Sequence, residues 1–226
     1  MRFVVRFAVC ADLVLTLPLI GAQFGTAGLV IGLLLAVLAT LWLWLWLPRM
    51  AHGAFEAGRY RVARRRYRLL GITAASAARE RAALLSRAGC AVAMRDHATA
   101  ERLLARLADS ELAAAERAVW LNNRACIALA TDPHAALALA DEASALRPDV
   151  PAVQHTRGMA LLAVGRIDDA IVVLDGMRTG GELPARLEAE RCRDLSRAWK
   201  HKGEAAYAED YRMRAERYGT GFAESF

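Results

Sequence analysis

The chain of 226 residues carries 30 Lys and Arg against 24 Asp and Glu, a formal net charge of +6, and 56% of its residues are hydrophobic. The charge is concentrated, since residues 49–68 hold seven arginines and one glutamate whereas residues 69–226 hold 21 basic and 22 acidic residues. That argues against nucleic acid as a partner, because a nucleic-acid binder spreads its basic stripe over the folded domain, and four scattered cysteines without a Cys-x-x-Cys pair argue against a disulfide framework and fit a reducing compartment.

Two apolar stretches open the chain. Residues 7–24 contain Asp12 and Pro18 and follow Arg2 and Arg6; residues 27–47 contain no charge. The second stretch, at 1.5 Å per residue, reaches roughly 31 Å and is predicted to cross a membrane. The first is read as a second crossing helix, with a cleaved signal peptide as the competing reading. Together they predict a transmembrane hairpin, with Trp42, Trp44 and Trp46 at its interfacial end and a Gly-x-x-x-Gly pair, Gly28 and Gly32, for close approach to other transmembrane helices. Asp12 is the polar group inside this region, either a contact for an intramembrane partner or a local mate of Arg6. Arginines flank both outer ends, which places the remainder at the cytoplasmic face of a bacterial-type inner membrane.

A basic collar and half repeat follow over 49–80. On a helix, Tyr60, Ala63, Tyr67, Leu70 and Ala74 form one stripe and Arg61, Arg64, Arg65 and Arg68 lie opposite, so the collar is expected to pack on protein with one face and touch the lipid bilayer with the other. From there the composition is rich in Ala, Leu and Arg, which predicts an all-α domain. Small residues pair across successive helices: Ala88 with Ala100, Ala125 with Ala136 or Leu137, Gly158 with Ala170. The pairs recur every 33 to 37 residues, the period of a helix-turn-helix repeat.

The run Gly158-Met-Ala-Leu161-Leu-Ala-Val-Gly165-Arg-Ile167-Asp-Asp-Ala170 resembles a tetratricopeptide repeat, and Gly58-Arg-Tyr60-Arg-Val-Ala63 resembles the second helix of one. Ala143-Ser-Ala-Leu146-Arg-Pro148 is similar to the closing segment of such a unit. The resemblance implies a solenoid with units near 81–114, 118–150, 151–184 and 189–218 and a tail over 219–226. By the same resemblance the first helices line a concave groove for proteins or peptides, with Asn122, Asn123, His155 and Met159 facing it.

The five histidines stand apart and no nucleotide or nucleophile motif occurs, so neither catalytic residues, a metal nor a cofactor is expected and the chain reads as a non-enzyme. The sequence therefore predicts a membrane-anchored adaptor that binds proteins through its repeats. The alternative is an accessory subunit of a membrane complex that works through its hairpin.

Overall fold

The computed structural model describes residues 23–38, 41–108 and 110–220. Helix α1 covers 23–38, a π-helical turn covers Trp42–Trp46, and ten helices follow: α2 Leu47–Glu56, α3 Tyr60–Ile72, α4 Ala77–Ala93, α5 His97–Ala105, α6 Ala114–Ala128, α7 Pro133–Leu146, α8 Pro151–Ala163, α9 Ile167–Gly176, α10 Ala185–His201 and α11 Ala205–Thr220. Among the described residues there is no strand, so the all-α class holds.

The predicted membrane hairpin is corrected. No helix among the described residues is long and apolar enough to cross a membrane. Within the run 27–47, Trp42–Trp46 are wound as a π-turn, and Leu47 already begins an amphipathic helix that buries Leu47, Ala51 and Ala54 against the rest of the protein. The inner-membrane placement, the lipid contact and the transmembrane partners inferred from that hairpin fall with it. Most of the earlier stretch, including Asp12, lies outside the described residues.

From α2 onward the helices pair as five antiparallel hairpins, α2 with α3 through α10 with α11. The hairpins stack as tetratricopeptide-like units. Each crossing is lined by residues with almost no side chain: Ala63, Ala88, Ala100, Ala125, Ala136, Ala160, Ala170 and Ala198 are fully buried. Helix axes separated by 8–10 Å leave no room for more. The crossing of α8 and α9 admits no side chain at Gly158, where a Cβ would lie 2.5 Å from Leu174 Cδ2. Larger side chains fill the space between units. Leu84, Leu85, Leu103 and Leu104 enclose Trp120 of the next unit, whose indole N–H donates to Leu104 O at 3.1 Å.

The hairpin turns repeat a backbone conformation. Gly58, Gly165 and Gly203 have φ of 71°, 80° and 80°, and each stands two residues before the second helix of its unit. Arg95 occupies the same place in the second unit at φ 57°. The third unit dispenses with a left-handed residue: the Thr131 N–H bonds Ala128 O at 3.0 Å, Asp132 caps, and Pro133 starts α7. Helix starts are fixed by side-chain caps where the sequence provides them, with Ser76, Asp96 and Asp132 accepting from the backbone N–H three residues on.

The last unit contains a buried ion pair. Arg191 is 1% exposed and donates to both oxygens of Glu188, at 2.7 and 2.8 Å, and to Leu174 O at 3.2 Å. Burial alone would raise the Glu188 carboxyl, but the hydrogen bonds and charge of Arg191 outweigh it and hold it below the ordinary carboxylate range. Tyr211 of α11 donates to Asp175 at 2.8 Å, so α9, α10 and α11 are tied at one point.

Two outcomes follow. A non-glycine residue in the left-handed region costs about 1–2 kcal/mol, so Arg95→Gly should raise stability by about 1 kcal/mol in urea unfolding, after the entropy glycine loses. A depressed carboxyl contributes stability that is present above its unfolded pKa, about 4.3, and is lost as pH falls through its folded value. Stability of the parent should therefore fall between about pH 5 and pH 3, and Glu188→Gln should flatten that segment of the pH profile of the urea midpoint.

Candidate partner-binding face

The first helices of the units meet one another directly: α4 packs on α6, α6 on α8 and α8 on α10. Each second helix packs on the first helix that follows it, α5 on α6, α7 on α8 and α9 on α10. Direct contact along one layer and not the other curves the stack toward the first helices, which therefore form its inner side. Charge divides the same way. Helices α4, α6, α8 and α10 carry eleven Lys and Arg against five Asp and Glu, whereas α5, α7, α9 and α11 carry four against nine.

Three stripes converge on the inner side. On α6, Val119, Asn122 and Cys126 follow at i, i+3 and i+7; on α8, Thr156 and Met159; on α10, Arg186, Glu190, Arg193 and Arg197. The Cys126 thiol lies 3.4 Å from the Thr156 hydroxyl. Burial pushes that thiol upward, the Thr156 hydrogen bond opposes the shift, and the nearby Glu190 carboxylate adds to it. Val119 is 41% exposed, Asn122 and Met159 are half-buried, and Arg193 and Arg197 are exposed, so these side chains are not consumed by packing.

The four groove residues expected from sequence separate into two kinds. Asn123 is buried, and its Nδ2 donates to Leu85 O of α4 at 3.3 Å. His155 is buried between α8 and α10, with Nε2 3.0 Å from Asp194 Oδ2, and Asp194 also accepts from Arg197 at 3.1 Å. Both side chains bridge neighbouring first helices. Asn122 and Met159 lie on the inner stripes, and Asn122 Oδ1 is buried with no hydrogen-bond partner among the described residues.

The collar divides similarly. Arg61, Arg65 and Arg68 are exposed on α3, while Arg64 donates to Asp96, the cap of α5, at 3.2 Å. Trp42, Trp44 and Trp46 are exposed, and the Arg79 guanidinium sits 3.7 Å over the Trp44 ring. Trp44, Pro48, Leu70, Arg79 and Ser86 line a cavity of about 290 Å³ with Tyr67, whose hydroxyl is pushed up to about 12 chiefly by burial. Among the described residues no three His, Cys, Asp or Glu side chains are grouped to hold a metal ion.

Arg186, Glu190, Cys126 and Thr156 were not singled out from sequence. The spacing of Arg186, Glu190, Arg193 and Arg197 at i, i+4, i+7 and i+11 was the available signal. Only the packing of α10 across the stack makes it meaningful.

Comparison with solved structures finds crystal structures of MamA. One is 16% identical, with a TM-score of 0.47, over 77% of this chain and 96% of its own. A structure labelled MSR-1 is 18% identical with a TM-score of 0.45, over 78% and 96%, and one labelled AMB-1 is 18% identical with a TM-score of 0.42, over 78% and 92%. No protein-family model matches the chain, and no curated protein matches it.

The two asparagines should part on truncation. Asn123→Ala removes a buried cross-helix hydrogen bond and should cost about 0.5–1.5 kcal/mol or more in urea unfolding, whereas Asn122→Ala removes an oxygen that has no partner and should change stability by less than about 0.5 kcal/mol.

Proposed function

We propose that the chain is a protein-interaction scaffold that binds a peptide or protein segment along the inner layer of its repeats. The observation that carries this reading is the continuous inner face itself, with first helices packed directly on one another and a row of side chains left over from that packing. Val119 and Met159 offer apolar contact, Asn122 an unused acceptor, and Arg193 and Arg197 positive charge. An asparagine amide pairs with a peptide backbone as donor and acceptor at once. Nothing in this set requires chemistry, and binding without turnover is the role proposed. The alternative, work done inside a membrane by an N-terminal hairpin, has no membrane-crossing helix among the described residues to support it.

Selection of random displayed peptides on the immobilised full-length chain tests the reading. Peptides that bind the parent should lose about tenfold or more in affinity, roughly 1.4 kcal/mol, with Met159→Glu or Asn122→Ala. They should bind unchanged to Val172→Glu, a substitution at a residue of α9 that is 72% exposed on the outer layer. Equal loss with Val172→Glu, or none with Met159→Glu, would place binding elsewhere.

A further inference from the structure

The last unit reaches back to the first. Arg186, in the first turn of α10, holds its guanidinium carbon 4.9 Å from the centroid of the Tyr60 ring and 6.0 Å from that of Phe55. Those rings stand at the turn between α2 and α3 and touch edge to face, with centroids 5.3 Å apart. Glu190 accepts from Arg186 Nε at 3.0 Å and from Nη2 at 2.7 Å, which fixes the plane of the guanidinium. The two side chains are 28% and 29% exposed.

In a stack of repeats each unit touches its neighbours. A contact between the first and fifth units is outside that scheme, so it can open without unstacking any repeat. Arg186 and Glu190 stand on the inner stripe of α10, beside the stripes of α6 and α8 that the Cys126–Thr156 contact joins at 3.4 Å. Closure by Arg186 therefore covers the same face that carries Asn122 and Met159.

We infer that Arg186 is a latch: stacked on Tyr60 and Phe55, it holds the first and fifth units together across the inner face, and a partner gains that face only when Arg186 leaves the rings. The role of the latch as a gate rests on the binding reading above, but its opening is measurable without any partner. A cation held over an aromatic ring favours the closed form by roughly 2- to 30-fold, weak enough to open and strong enough to measure.

Cys126 is a built-in reporter. In the full-length chain with Cys10→Ser, the remaining thiols are Cys126 on the inner stripe and Cys90 and Cys192, both fully buried in packing. Labelling by a thiol reagent, resolved by mass spectrometry, should be about three- to tenfold faster at Cys126 in Arg186→Ala and in Tyr60→Leu than in the parent. Cys90 and Cys192 should keep their parent rates, which reports intact repeats. Arg193→Ala, on the same stripe without a ring contact, should stay within about twofold. Unchanged Cys126 labelling in both Arg186→Ala and Tyr60→Leu would overturn the latch, and so would equal acceleration by Arg193→Ala. If labelling accelerates as expected while the peptide selection yields nothing, the latch stands and the binding reading falls.

Discussion

Helices that cross at alanine and glycine come close enough for backbone to lie against side chain, and every other feature of this stack follows from that closeness. At the crossing of α8 and α9 the limit is reached, because even one methyl on Gly158 would collide with Leu174, itself fully buried. A core packed to crystal density has no slack to take it up. With the crossings occupied by small residues, the large ones are displaced to the seams between hairpins. Trp120 seals the second unit to the third, and Leu162, Leu187 and Trp199 gather around Leu174 and Leu195 at the fourth and fifth. The inner stripes are then relieved of packing, which is what leaves Asn122 and Met159 available.

Charge is distributed to serve the same geometry. Arg81 of α4 pairs with Glu116 of α6 at 3.0 Å, Arg117 of α6 with Glu142 of α7 at 2.6 Å, and Arg157 of α8 with Asp141 of α7 at 2.6 Å. The two more exposed pairs, Arg117–Glu142 and Arg157–Asp141, contribute about 0–1 kcal/mol each, so their effect is on register more than on total stability. Arg191 and Glu188 differ because both are buried: breaking such a pair strands a charge and costs about 3–5 kcal/mol. The sorting of charge follows these pairs in part, since Arg117 and Arg157 are inner residues whose partners Glu142 and Asp141 stand on the outer helix α7. To that extent it is a product of assembly before it is a property offered to a partner.

Much of the fold was legible because the signals were local. Tyr60, Ala63 and Tyr67 on one stripe, the small-residue pairs, and glycine before the second helix of the first, fourth and fifth units are patterns within one hairpin, and hairpins of this kind stack by their own faces. Arg95 was not legible, since nothing in an arginine announces a left-handed backbone; the regular turn of the neighbouring units imposes it. The membrane helix was misread because counting apolar residues assumes an unbroken α-helix, and the π-turn at Trp42–Trp46 together with the burial of Leu47 against the repeats divides the run. Asn123 and His155 look like groove residues on any pattern. A one-residue step along α6 separates an inner side chain from one that faces α4, and the Asp194 that engages His155 is 39 positions away.

The contact of Arg186 with Tyr60 and Phe55 lies beyond any local pattern, because it depends on the summed curvature of five hairpins. Each seam sets a small rotation, and those rotations add until α10 stands beside the first turn. A change at any seam therefore moves Arg186 relative to the rings by more than it moves the neighbours of that seam. The same lever works in reverse. A ligand wedged between first helices, at Asn122 or Met159, need shift a seam only slightly to separate the ends, and separation exposes more of the face it occupies. On the latch proposed above, inner-face contact and end-to-end closure are opposed through the geometry of stacking, and the Arg186 contact is the point at which the opposition is resolved.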